Sequence, residues 1–285
     1  MLLQRTNVAD NPEHSNPKTQ RQFGMEFEYY SQTDTGRVRS NNEDSIAVDE
    51  ACGVAVLADG MGGYNAGEVA SGMACDFIKA ELGRWLLEAA QNATDNDVKR
   101  AMDICVDNAN RAIFNAANSN PTFAGMGTTL VLGVFRAGRL LMGHIGDSRA
   151  YRFRSGQLQQ ITKDHSLLPE QIDAGILTPE QAAFSANKNL VTRALGVEDM
   201  VLLETHIHDI QSGDIYLMCS DGLSDMLRDP QIAAVMSEHA SLPEMGAALI
   251  AAACEAGGRD NIAVVLVRAQ GVAPPPVRSW WPFKR

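Results

Sequence analysis

Strand signals and helix signals arrive in separate blocks along this chain, and that order restricts the fold more than any other feature. Short strands are expected at Met25 to Gln32, Ser45 to Asp49 and Gly53 to Ala58, the last an almost unbroken apolar run that suits a strand covered on both faces. Two helices should follow, about Ala66 to Asn92 and Asp95 to Asn118. The second carries Val98, Met102, Cys105, Val106, Ala109 and Ile113 at helical spacing, with Thr94 or Asp95 placed to cap it. Strands return at Thr128 to Phe135, Leu140 to Ile145, Ala150 to Phe153 and Leu158 to Ile161. Turn pairs such as Ala137-Gly138 and Ser155-Gly156 between them suggest an antiparallel meander. After a mixed segment from Asp164 to Asn189 come strands Val201 to His208, Ile215 to Cys219 and Ile262 to Val267. Helices near Pro230 to Glu238 and Pro243 to Ala256 precede the last strand. Such blocks imply an α+β layered domain with antiparallel sheets.

The 285 residues allow one or two domains, and no solenoid or propeller period recurs. Residues 1–24 are polar and aperiodic, so they read as a loose arm without the apolar segment of a secretion signal. Residues 25–268 form the ordered part. From Ala269 to Arg285, Pro274, Pro275 and Pro276 precede Trp280, Trp281 and Phe283, a composition suited to a tether or a peptide that docks on a protein or membrane surface. Lys plus Arg number 24 against 35 Asp plus Glu, and the resulting charge of −11 argues against a surface that grips nucleic acid. No apolar stretch reaches the ~20 residues of a membrane span. The 5 cysteines show no C-x-x-C spacing, which suggests neither a disulfide framework nor a zinc site and fits a reducing cytoplasm.

Acidic residues sit where strands meet turns: Asp59 in Ala58-Asp59-Gly60-Met61-Gly62-Gly63, Asp147 in Gly146-Asp147-Ser148, Asp221 in Ser220-Asp221-Gly222, Asp260 in Arg259-Asp260-Asn261, and Asn42-Glu43-Asp44 at a strand start. Any one alone reads as a turn. Together, hard oxygen ligands at one end of a sheet are what Mg²⁺ or Mn²⁺ requires, and glycine lets a backbone carbonyl approach the ion. The rival patterns fail. Gly60-x-Gly62-x-x-Asn65 lacks the last glycine of a dinucleotide fingerprint, and no Walker A or G-x-S-x-G sequence is present. His206 and His208 alternate along one strand with no third ligand near in sequence, and Met61, Met73, Met102 and Met126 suit packing.

In order, Asp34-x-Gly36-x-x-Arg39-x-x-Asn42-Glu43-Asp44, Ala58-Asp59-Gly60-Met61-Gly62-Gly63, Gly127-Thr128-Thr129, Gly146-Asp147-Ser148-Arg149-Ala150-Tyr151-Arg152, Thr162-Lys163-Asp164-His165-Ser166, Thr192-Arg193-Ala194-Leu195-Gly196, Ser220-Asp221-Gly222-Leu223-x-Asp225 and Asp260-Asn261 resemble the metal-dependent Ser/Thr protein phosphatases (PPM, type 2C) in their compact bacterial form. The resemblance spans about Glu28 to Arg268. It implies a four-layer α-β-β-α sandwich of two antiparallel sheets with helices on both outer faces. It also implies two Mn²⁺ or Mg²⁺ ions at one edge: Asp59 bridging them, the Gly60 carbonyl and Asp44, or Glu43 beside it, on one, and Asp221 and Asp260 on the other. Asp147 with Asp221 would form a third, weaker site, and Arg39 would hold the substrate phosphate. The implied activity is hydrolysis of phosphoserine and phosphothreonine in proteins by a metal-activated water, opposing a bacterial Ser/Thr kinase. A catalytically weak binding module on the same fold is the alternative. Met61 stands where animal members carry a histidine, and the expected flap, about 165–192, lacks the usual His-Pro before its Arg/Asn stretch.

Overall fold

The structure is a computed structural model that describes residues 25–62, 66–89, 92–136, 138–173, 175–178 and 190–271. The expected arm, part of the flap and most of the tail lie outside the described residues. One antiparallel sheet is ordered β1 (Met25–Asp34), β11 (Ile262–Gly271), β10 (Ile215–Cys219), β7 (Arg149–Arg154), β8 (Gln157–Gln160). The other is ordered β2 (Asp44–Asp49), β3 (Val54–Met61), β5 (Leu130–Arg136), β6 (Arg139–Ile145), β9 (Glu204–Asp209), with β4 (Gly127–Thr128) on β3.

The unbroken apolar run of β3 is buried on both faces, as its composition requires. Val54, Val56 and Ala58 point to one side, where α1 (Ala66–Ala89) and α2 (Asp95–Ser119) bring Ala70, Ala74, Ile78, Met102 and Ile113 against them. Ala55 and Leu57 point to the other, between the sheets, and join Val131, Phe135 and Met142 against Tyr216, Met218, Val265 and Val267. Phe135 and Tyr216 meet edge to face there, with centroids 5.6 Å apart. On the outer face of the sheet that holds β10 and β11, Leu217, Val264 and Leu266 pack with Ile232 and Met236 of α5 (Asp229–Glu238) and Leu249 and Ala253 of α6 (Leu242–Glu255). The layers are therefore helix, sheet, sheet, helix, as expected. Two short helices, α3 (Leu167–Asp173) and α4 (Asp221–Ser224), and a 3₁₀ turn at Pro121–Phe123 complete the described elements.

The structure revises several local expectations. The cap of α2 is Thr94, whose hydroxyl accepts from the Asp97 N–H while Asp97 accepts from the Thr94 N–H. The four strands from Thr128 to Ile161 are not one meander. β5 and β6 pair in one sheet and β7 and β8 in the other, and the chain crosses between sheets at Gly146, whose φ of +99° only glycine adopts without strain. Turn residues disclosed the hairpins, but the turn between Ile145 and Arg149 carries no signal of which sheet each hairpin joins. Thr129 splits β4 from β5 because it bonds back to Asp59. Val201 and Leu203 pack against the helical layer, so β9 begins at Glu204 rather than Val201. Finally, β11 runs past Arg268 to Gly271, with Ala269 buried and Gly271 opposite Met25, because β1 offers a full-length partner.

Candidate metal centre

Strands of both sheets deliver their acidic residues to one edge. β2 and β3 pair with Asp44 directly opposite Asp59. At the end of β3 the Gly60 N–H donates to the Glu43 carbonyl at 3.1 Å, and a Cβ on Gly60 would stand 2.2 Å from the Gly67 carbonyl oxygen, so only glycine lets α1 approach this closely. From the other sheet, Ser220 at the end of β10 donates its hydroxyl to Asp44 Oδ2 at 2.8 Å and accepts from the Ala263 N–H. Asp221 follows at the start of α4. Asn261 ties the loops together: its Oδ1 accepts from the Glu43 N–H, and its Nδ2 donates to the Asn41 and Thr35 carbonyls. The Thr129 hydroxyl accepts from the Asp59 N–H and lies 2.7 Å from the Ser148 hydroxyl, which fixes the Gly146-Asp147-Ser148 corner against β3.

Asp44, Asp59, Asp147, Asp221 and Asp260 thus come together, as their pattern in the sequence suggests. Burial pushes the Asp59 carboxyl well above the usual range, and the charges of Asp44, Asp221, Asp147 and Asp260 push it further. Burial also raises Asp44 to about 7, against the opposing hydrogen bond from Ser220. Asp221 is likewise raised to about 7, by burial and then by Asp147, Asp225, Asp260 and Asp44. Burial raises Asp147 to about 6. Asp44 Oδ1 is buried without a hydrogen-bond partner. A cluster of mutually repelling carboxylates with an orphaned oxygen is matched to divalent cations that prefer oxygen ligands, and the residues present fit such ions. Glu43 differs from Asp44: its carboxylate accepts from Asn41. At the rim, half-exposed Arg39 donates through Nη2 to Asp260 Oδ2 at 2.7 Å.

Sequence reasoning placed Thr129 and Ser220 in the matched motifs but gave them no role; Ser220 orients Asp44 and Thr129 orients Asp59. The available signal was a hydroxyl residue one position before Asp221 and another between the two strands that pair with β3. All five cysteines are buried and unpaired, and burial pushes Cys219 up to about 12, so none is a ready nucleophile.

An edge lined by these carboxylates, with an arginine on its rim, has the donor set that divalent cations and a phosphate ester require. Residues 33–262 match the family model described as Protein phosphatase 2C, and the chain belongs to that family. Among curated proteins it is 35% identical to the serine/threonine phosphatase stp of Listeria monocytogenes (strain EGD-e) over 238 residues, covering 82% of this chain and 93% of that one. It is 39% identical over 241 residues to the serine/threonine protein phosphatase PstP of Mycobacterium tuberculosis (strain H37Rv), covering 84% of this chain and 44% of PstP. Among solved structures, Stp1 from Staphylococcus aureus superposes with a TM-score of 0.79 at 30% identity, covering 88% of this chain and 98% of that one. The PstP catalytic domain in complex with two manganese ions superposes at 0.73 and 36% identity, covering 86% and 99%.

Proposed function

We propose that this protein hydrolyses phosphoserine and phosphothreonine in other proteins at the carboxylate edge. The observation that carries this reading is the convergence of five aspartates from both sheets around the buried, unpartnered Asp44 Oδ1, in a chain of the 2C family. Asp44, Asp59 and the Gly60 carbonyl would hold one divalent ion and Asp59, Asp221 and Asp260 a second, while Asp147 and Asp221 would hold a third more weakly. When bound, Mn²⁺ or Mg²⁺ supplies a water that ionises near neutral pH and offsets phosphoryl charge. Within the chain, Ser220 and Thr129 keep Asp44 and Asp59 oriented, and Gly60 leaves its carbonyl room. Intact aspartates at every position oppose the alternative of a catalytically weak binding module.

Arg39 serves as the clamp for the substrate phosphate. Its planar fork matches phosphate oxygens, and its place on Asp260 keeps it at the rim. A guanidinium holding the phosphate acts on ground and transition states alike, so Arg39→Ala is expected to raise KM for a phosphopeptide roughly tenfold with a smaller effect on kcat. An unchanged KM in steady-state assays would show Arg39 to be a surface residue.

The substrates are phosphoproteins made by a Ser/Thr kinase, and the compartment is the cytoplasm; no described helix is long and apolar enough to cross a membrane. The segment beyond Gly271 places Trp280, Trp281 and Phe283 beside Arg278, Lys284 and Arg285, a composition suited to docking. Truncation after Gly271 should leave phosphopeptide turnover unchanged and alter cellular distribution; lost turnover would assign the segment to the active site.

A further inference from the structure

We infer that Glu204 and His165 form a relay that positions Asp147, with Glu204 selecting the histidine tautomer that holds the turn. The inference rests on the assignment of Asp147 to the metal centre. Gly146, the residue before Asp147, is held by His165 from both sides. Its carbonyl accepts from the His165 N–H at 2.9 Å, and its own N–H donates to His165 Nδ1 at 3.2 Å. A ring nitrogen that accepts from an amide carries no proton, so the proton of the neutral imidazole sits on Nε2. Nε2 lies 3.0 Å from Glu204 Oε2 and donates to it. The other tautomer would set an N–H against the Gly146 N–H and loosen the turn. Glu204, which His206 also engages at 2.9 Å, remains an ionised acceptor: its burial is outweighed by the two histidine hydrogen bonds, which hold it down to about 2.

The ring plane of His165 is fixed as well. His144 stacks on it at 4.6 Å with 16° between planes, and is anchored by donating from Nε2 to the Lys163 carbonyl at 2.7 Å. Thr129 fills the space against Gly146, so the turn is confined on its remaining side.

His144, His165 and Glu204 also lie close enough together to suggest a metal ion. Two features argue against one. Stacked imidazoles direct their lone pairs along parallel planes rather than toward a common point, and the Arg193 guanidinium lies 3.4 Å from His165 Nε2, a cation where a second cation would have to sit. The arrangement is a proton-bearing relay, comparable to the outer partners that orient ligands in metal sites.

Turnover of p-nitrophenyl phosphate across a Mn²⁺ titration, with thermal melting alongside, tests the relay. Glu204 is 33% exposed, so its variants should fold. Glu204→Ala is expected to raise the Mn²⁺ concentration for half-maximal activity about tenfold, in the range for outer partners of metal ligands, with little change in melting temperature. Glu204→Gln still offers a carbonyl oxygen to Nε2 and should stay close to the unaltered enzyme. At His165, asparagine can supply an acceptor where Nδ1 stood and glutamine cannot, so His165→Asn should outperform His165→Gln, although glutamine is nearer in volume. Equal behaviour of the two Glu204 variants, or His165→Gln matching His165→Asn, overturns the relay. Asp147→Asn separates the two levels: an unchanged Mn²⁺ curve there overturns the assignment of Asp147 itself, whereas a shifted curve there with an unchanged curve in Glu204→Ala overturns the relay alone.

Discussion

Asp221→Asn and Asp260→Asn are each expected to lower kcat by on the order of 10³ in saturating Mn²⁺, because electrostatic stabilisation of phosphoryl charge is lost while the core is untouched. The same substitutions should do the opposite to stability once metal is chelated. Asp44 and Asp221 are pushed to about 7 and Asp147 to about 6 in the folded chain, against about 3.9 when unfolded. The sign follows from which state binds protons. The folded protein retains protons that the unfolded chain releases, so stability is full below about pH 4 and is lost as pH rises through 6 to 7. In chelator, the melting temperature should therefore fall between pH 5 and pH 8, and Asp221→Asn should flatten that fall. Added Mn²⁺ should restore the melting temperature of the unaltered chain. A chelated protein that kept its full rate, or a melting temperature that rose with pH in chelator, would contradict the carboxylate cluster as the seat of catalysis.

Gly60→Ala should damage both folding and turnover. Its added methyl would stand 2.2 Å from the Gly67 carbonyl oxygen and 2.6 Å from the Glu43 carbonyl oxygen, both main-chain atoms that cannot move without separating α1 or β2 from β3. A clash of this kind costs about 1–3 kcal/mol or more, and relief by backbone shift displaces the Gly60 carbonyl from the centre. Gly72, also against this layer but on the open side of α1, has only the Ser45 hydroxyl within 4.0 Å of a built Cβ. Gly72→Ala should raise stability by about 0.5–1 kcal/mol through helix propensity. Urea unfolding and phosphatase assays on the pair check this. Equal effects at the two positions would mean that the close approach at Gly60 is unimportant.

The layers were legible because each follows from local patterning: a run such as Val54 to Ala58 has to be covered twice, and α2 announces itself through its cap and its apolar face. The aspartates were legible for a related reason, since glycine and polar turns beside acids at strand ends leave few structural explanations once they recur. What escaped was nonlocal. Nothing between Ile145 and Arg149 discloses that the chain changes sheets there, because a short glycine-containing turn serves a hairpin as well as a crossing. Ser220 and Thr129 look like ordinary turn and strand residues until pairing brings them beside Asp44 and Asp59. Glu204 and His165 are separated by a segment whose course no periodicity describes, and their meeting depends on the pairing of β6 with β9.

The pairing of β1 with β11 has a consequence for how the chain is made. β11 is an interior strand, flanked by β1 and by β10, yet it is the last described strand to leave the ribosome. Until then β1, with Met25 to be matched to Gly271 and Asp34 to Ile262, has no neighbour in its sheet, and Asp260 has not joined the other aspartates. The hydrolytic edge and the closure of the sheet are thus completed by one late event. A nascent chain halted short of Asp260 carries four of the five aspartates and lacks the strand between β1 and β10, so synthesis itself delays activity until the domain can close.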